Sequence, residues 1–149
     1  MRIRLESVPV SDQDQALAFY TQKLGFIKKR DVALGGPDHR FLTVVSPQEP
    51  DGTELLLEPS GDHPATKAYK AALYEQGIPI TAFQVDDCHA EHRRLEALGV
   101  RFVMPPTPMP GSIAATLDDT CGNLVMIYQE TPSDPDQASQ PQGQAQPSA

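Results

Sequence analysis

The sequence predicts an α+β fold built from two βαβββ modules, because one pattern occurs twice along the chain. In each copy a strand-like segment leads to an aspartate, a helical stretch follows, and a Leu-Gly pair ends it. Asp12 and Asp87 lie 75 positions apart, and Gly25 and Gly99 lie 74 positions apart. Three further strand-like segments follow each copy. A repeat at a fixed spacing indicates that each copy is one supersecondary unit that needs the other to bury its apolar face.

The first module is predicted element by element from these signals. Val8 and Val10 alternate with other residues at a period of two, which is typical of a strand with one buried face. Asp12 is expected to cap a helix over residues 13–24, and Gly25 is expected to end it in a left-handed conformation. The strands that follow are predicted at 26–27, 39–45 and 53–57.

The second module repeats this order after a connecting helix. Residues 62–77 are predicted to form that linker helix, with Asp62 near its start and Gly77 at its end. Phe83 and Val85 then alternate as Val8 and Val10 do, and a helix over 88–98 begins after its capping aspartate. Strands are predicted at 100–103, 112–117 and 124–128. We therefore expect module one at about 1–60 and module two at about 78–130.

Composition favours one compact domain over residues 1–130, with a different segment after it. The 149-residue chain is 39% apolar, which is enough to fill one core. Residues 131–149 are rich in proline and glutamine and have no apolar residue larger than alanine, so this tail is predicted to be disordered. No segment resembles a signal peptide or a membrane span, and two cysteines do not make a disulfide framework. We expect a cytoplasmic protein with no membrane partner.

The charge of the chain bears on its partners. The formal net charge is −8, of which Glu130, Asp134 and Asp136 supply three negative charges, so the folded part carries about −5. This charge argues weakly against a nucleic-acid-binding surface and is favourable for a cationic small molecule.

Three motifs together resemble those of a known superfamily. They are the V-x-V-S-D-x-x-x-A-L-A-F-Y-x-x-x-L-G-F pattern at 8–26, the V-D-D and L-x-A-L-G-V pattern within 85–100, and the D-x-x-G-N turn at 119–123. This combination is similar to the vicinal oxygen chelate superfamily, the group of glyoxalase I, bleomycin resistance proteins and extradiol dioxygenases. The resemblance covers roughly residues 3–130. It implies that each module curls a mixed sheet into a half-barrel, and that the two half-barrels enclose a cleft.

The resemblance also implies where a metal ion would bind. Enzymes of this superfamily hold a divalent cation with a His or Gln on the first strand and a Glu on the last strand of each module. The matching positions here are Leu5, Glu54, Ile80 and Met126, and only Glu54 carries a ligand for a hard or borderline cation. We therefore expect no metal ion and no other cofactor.

The predicted function is the binding of a small apolar or aromatic molecule in the cleft, as in bleomycin resistance proteins. Leu5, Ile80 and Met126 place apolar side chains at the metal positions, and such side chains are typical of small-molecule pockets. Alternation along the strands predicts which neighbouring side chains lie on the same face. No catalytic residue is predicted. The predicted ligand-binding residues are Leu5, Ser7, Phe41, Glu54, Leu56, Ile80, Ala82, Gln84, Met126 and Tyr128.

Two other functions remain open at this point. A metal-dependent lyase or dioxygenase could hold its cation through displaced ligands such as Glu6, Glu54 and Glu58. An assembly module could instead have its cleft closed by packing. The resemblance also implies that half-barrels pair through their sheets or exchange modules between chains. Both arrangements leave sheet edges that need cover, so we expect a two-fold homodimer.

Overall fold

The computed structural model describes residues 1–35, 39–59 and 63–132, and within them the chain forms two βαβββ modules joined by a helix. The first module contains β1 (Leu5–Val10), α1 (Gln13–Ala18), a π-helical continuation of α1 (Phe19–Lys23), β2 (Ile27–Ala33), β3 (Arg40–Val45) and β4 (Glu54–Pro59). Helix α2 (Pro64–Glu75) follows. The second module contains β5 (Thr81–Gln84), α3 (Cys88–Ala97), β6 (Phe102–Met109), β7 (Ser112–Asp118) and β8 (Leu124–Glu130).

Each module forms a four-stranded mixed sheet with the same topology. The strand orders are β1-β4-β3-β2 and β5-β8-β7-β6. The first strand pairs parallel with the last strand of its module, and the other pairs are antiparallel. The predicted α+β fold of two βαβββ modules is therefore confirmed.

The repeated aspartates and glycines have the predicted roles at the ends of the helices. A side-chain oxygen of Asp12 accepts a hydrogen bond of 2.9 Å from the backbone N–H three residues later, and Asp87 accepts one of 2.8 Å in the same way. Gly25 and Gly99 have φ angles of 85° and 79°, a region that a residue with a Cβ atom rarely adopts. The two helices thus begin and end at equivalent points of the repeat.

Two strands are longer than predicted by more than two residues. Strand β2 runs from Ile27 to Ala33 and not over 26–27, and β6 runs from Phe102 to Met109 and not over 100–103. The proline-rich end of β6 is tolerated because β6 is an edge strand whose register shifts twice along β7. The predicted disordered tail, apart from residues 131 and 132, and the predicted helix start at Asp62 lie outside the described residues.

One apolar core lies between the helices and one face of each sheet, and it includes residues of both modules. Aromatic rings join the two halves: the centroids of Tyr20 and Phe83 are 6.4 Å apart, and those of Phe26 and Phe83 are 5.0 Å apart. Tyr20 is fully buried. Among the described residues, no helix combines the length and apolar character that crossing a membrane requires.

The turn between β7 and β8 fastens the second module to the first. Asn123 Nδ2 donates a hydrogen bond of 2.9 Å to the carbonyl oxygen of Pro9, at the end of β1. Ser11 Oγ donates one of 3.0 Å to the carbonyl oxygen of Cys121, and Tyr20 OH donates one of 3.1 Å to Asp119 Oδ2. We call residues 119–123 the clamp turn, since it connects the end of β7 to β1 and α1.

Candidate ligand-binding site

The register of the first sheet places several predicted site residues on one face. In the parallel pair of β1 and β4, Leu5 lies opposite Glu54 and Ser7 lies opposite Leu56. Because paired residues point to the same side of a sheet, these four share one face. Val8 belongs to the other face and is fully buried in the core. We call the face with the four site residues the open face of the first sheet.

The second sheet has an equivalent open face. Ala82 lies opposite Met126, and Gln84 lies opposite Tyr128. Ala82 and Gln84 are exposed, whereas Met126 and Tyr128 are half-buried. Ile80 precedes β5, and its N–H donates a hydrogen bond of 2.9 Å to the carbonyl oxygen of Leu124.

A cavity of about 430 Å³ opens on the open face of the first sheet. Three predicted site residues line it, namely Leu5, Phe41 and Glu54. We call it the first-sheet cavity. Sequence reasoning missed the rest of its lining, which is largely charged: Arg4, Lys29, Arg30, Asp51 and Gly52.

The other predicted site residues are distributed elsewhere. Glu54 also lines a cavity of about 240 Å³ between the modules, where Ala82 forms part of the wall. Gln84 lines a wider surface cavity of about 590 Å³. The five remaining predicted residues line none of these three cavities: Ser7, Leu56, Ile80, Met126 and Tyr128. Phe41 and Met126 therefore share none of these three cavities within the described part of one chain.

Glu54 is a buried carboxylate whose oxygens already have partners. Its exposure is 7%, and its Oε2 atom accepts a hydrogen bond of 2.8 Å from Thr43 Oγ1. Arg30 Nε lies 3.0 Å from Oε2 and 3.2 Å from Oε1, and Lys29 Nζ lies 3.9 Å from Oε1. Burial acts to raise the pKa of Glu54, but the bonds from Thr43 and Arg30 and the two nearby positive charges outweigh it and lower the pKa. Glu54 is therefore held in its ionised form by the protein itself.

The residues at the metal positions do not fit a divalent cation. Leu5, Ile80 and Met126 supply no oxygen or nitrogen donor, and the carboxylate of Glu54 is occupied by Arg30 and Thr43. No group of three or more His, Cys, Asp or Glu side chains within residues 1–35, 39–59 and 63–132 could hold a metal ion.

The set of displaced ligands is also split between faces. Glu6 lies opposite Leu55, which packs in the core, whereas Glu54 and Glu58 alternate onto the other face of β4. Glu6 and Glu54 both line the cavity of about 240 Å³, but among the described residues no third His, Cys, Asp or Glu side chain joins them in a group that could hold a metal ion.

The position of Arg30 depends on an irregularity in β2. Lys28 lies opposite Val44, but the register shifts before Arg30, which lies opposite Thr43. This β-bulge inserts one residue and brings Arg30 to the side of the sheet where Glu54 lies. The sequence shows a run of basic residues at 28–30. It does not show the bulge, so the face of the sheet on which Arg30 lies could not be assigned from it.

The two thiols are not available as nucleophiles. Cys88 and Cys121 are both free and buried, with exposures of 0% and 1%. Burial is the main cause that raises the pKa of each thiol, and that of Cys121 rises to about 12. Since the thiolate is the reactive form, neither cysteine supports covalent catalysis.

Comparison with known proteins agrees with this architecture. The family model for the Glyoxalase/Bleomycin resistance protein/Dioxygenase superfamily matches residues 3–127. The protein YurT of Bacillus subtilis (strain 168) is 51% identical over 130 residues, which cover 87% of this chain and 100% of YurT.

Solved structures of similar proteins have the same fold. The crystal structure of UcmS2 is 32% identical with a TM-score of 0.72, over 86% of this chain and 97% of that one. TnmS3, an antibiotic binding protein from Streptomyces sp. CB03234, is 27% identical with a TM-score of 0.68, over 88% of this chain and 97% of TnmS3. Fold, repeat and sequence thus agree, and the chain belongs to the glyoxalase/bleomycin resistance protein/dioxygenase superfamily.

Proposed function

We propose that this protein is a cytoplasmic binding protein that holds a small aromatic or apolar molecule against its open faces without a metal ion. One observation carries the proposal. Glu54 is the one oxygen donor at the four metal positions, and it forms an ion pair with Arg30 beside the apolar side chains of Leu5 and Phe41. A cation would have to displace Arg30 from this carboxylate and then find its remaining ligands among apolar residues.

The first-sheet cavity has the size and surface of a small-molecule site. Its volume of about 430 Å³ lies within the range of about 300 to 1,000 Å³ that is usual for such sites. Leu5 is 44% exposed and Phe41 is half-buried, so both have apolar surface left for a ligand to cover. The similarity to TnmS3, which is an antibiotic binding protein, also supports small-molecule binding.

We propose further that a second copy of the chain completes the site. Ala82, Gln84, Met126 and Tyr128 lie on the open face of the second sheet, away from the first-sheet cavity of the same chain. A two-fold pair would place the second open face of one copy against the first open face of the other and shield Leu5 from water.

Native mass spectrometry of protein purified without chelator tests two parts of these proposals together, the absence of a metal ion and the formation of a dimer. We expect the mass of two chains with no stoichiometric divalent cation. About one Zn, Ni, Mn or Fe per chain would instead support the metal-dependent lyase or dioxygenase. A single-chain mass at micromolar concentration, confirmed by light scattering, would contradict the dimer.

A further inference from the structure

Among the residues that the structure describes, only the Nε atom of the Arg30 guanidinium group has a partner. Its Nε atom contacts both oxygens of Glu54, at 3.2 and 3.0 Å, and Glu54 is itself fixed by Thr43. Among the described residues, none forms a hydrogen bond or an ion pair with the two Nη atoms. Because a guanidinium group is planar, anchoring Nε fixes the plane in which the Nη groups donate. Glu54 therefore acts as a positioning residue for Arg30.

The first-sheet cavity is positive although the chain is acidic. Three basic side chains and two acidic ones line it, so the lining carries one net positive charge, in contrast to the net charge of −8 for the whole chain. Both acidic side chains already have a cationic neighbour. Lys29 Nζ lies 3.8 Å from Asp51 Oδ1, and Arg30 pairs with Glu54. The side chain of Arg30 remains 56% exposed.

An apolar wall lies next to this positive group. Phe41 and Leu5 line the same cavity as Arg30. Val32 lies opposite Phe41 in the register of β2 and β3 and is 54% exposed. A flat ring can therefore lie against Phe41 while a polar substituent reaches Arg30.

We propose that the first-sheet cavity selects aromatic ligands that carry an anionic group, such as a carboxylate. The two Nη groups of Arg30 bind the anion in a bidentate manner, and the aromatic ring packs against Phe41. The proposal rests on the binding function proposed above and names the ligand class of that site. It reverses the preference for a cationic ligand that the net charge of the chain suggests.

Three naphthalene probes of similar shape test the ligand class with the full-length protein. They are 2-naphthoate, neutral 2-naphthamide and cationic 2-naphthylmethylammonium, each titrated by calorimetry at pH 7. We expect 2-naphthoate to bind on the order of tenfold more tightly than 2-naphthamide, since a charge-assisted bidentate pair at a partly exposed site adds about that much. The cationic probe is expected to bind most weakly.

Two variants assign the selectivity to Arg30. In Arg30→Gln the affinity ratio of 2-naphthoate to 2-naphthamide should fall to about one, while 2-naphthamide binds within about twofold of its wild-type affinity. Lys28→Gln is the matched control. It removes a neighbouring positive charge opposite Val44, away from the cavity, and should keep the wild-type ratio.

The outcomes separate the ligand class from the binding function. A ratio near one in the wild-type protein, or an unchanged ratio in Arg30→Gln, overturns the inference and leaves aromatic binding in place. Absence of binding for all three probes overturns both. If Arg30→Gln does not fold because Glu54 loses its partner, Arg30→Lys keeps the positive charge without the planar fork. That variant should lower the ratio, and an unchanged ratio would again overturn the inference.

Discussion

Replacing Asp119 with alanine is expected to lower the free energy of unfolding by about 3 kcal/mol or more, because it leaves several buried donors without an acceptor. Asp119 is fully buried. Its Oδ1 atom accepts hydrogen bonds from the backbone N–H groups of Cys121 (2.7 Å) and Asn123 (3.0 Å). Its Oδ2 atom accepts from Asn123 Nδ2 (2.7 Å) and Tyr20 OH (3.1 Å). The clamp turn therefore loses its central acceptor and its connection to Tyr20.

Urea denaturation of the variant and of one control measures this effect. Asp86→Ala removes an exposed carboxylate that forms no hydrogen bond or ion pair with a described residue, and it should change the unfolding free energy by no more than about 0.5 kcal/mol. A loss below about 1 kcal/mol for Asp119→Ala would show that the clamp turn does not stabilise the pairing of the modules.

Replacing Phe41 with alanine is expected to weaken the binding of 2-naphthamide by about 1 to 3 kcal/mol, through lost contact area and ring stacking. Phe41 lines the first-sheet cavity beside Leu5 and is only half-buried. The change therefore removes ligand contacts more than core packing. Calorimetric titration of the neutral probe measures the effect without a contribution from the charge of Arg30.

Tyr69→Ala is the matched control for the loss of an aromatic ring. Tyr69 lies on α2, is 55% exposed and lines none of the cavities described above. We expect this variant to bind 2-naphthamide as the wild-type protein does. Unchanged affinity in Phe41→Ala would place the ligand outside the first-sheet cavity.

Local rules predict most of the fold because its signals lie close together in the sequence. Asp12 and Asp87 accept bonds from the N–H groups three residues later, and Gly25 and Gly99 end their helices at positive φ. Strand alternation also predicts which residues share a face. It assigns Ser7 and Leu56 to the same side of the first sheet, and the register of β1 and β4 places them opposite one another.

The charged part of the first-sheet cavity could not be predicted in the same way. The side on which Arg30 lies depends on a bulge between β2 and β3, and a bulge is decided by the pairing of strands that are distant in the sequence. The sequence identifies Glu54 as a possible metal ligand, but the bonds of Glu54 to Thr43 and Arg30 join three separate strands. A sequence pattern gives the residue types on a face, whereas the partner of each polar group depends on tertiary packing.

The length of β6 shows the same limit. Its proline content argues against a strand, yet β6 continues to Met109 because it is the outermost strand of its sheet. Whether a strand is central or at an edge depends on the order of strands, which alternation along one segment does not reveal.

Titration of 2-naphthamide with and without metal tests metal-free binding at the open face most directly. The neutral probe avoids direct chelation, so any dependence on the cation comes from the protein. We expect the dissociation constant measured in excess EDTA and the one measured after addition of Mn²⁺ or Zn²⁺ to agree within about twofold, because Glu54 is already paired with Arg30. Binding that appears only after a divalent cation is added, or is abolished by EDTA, would contradict metal-free binding.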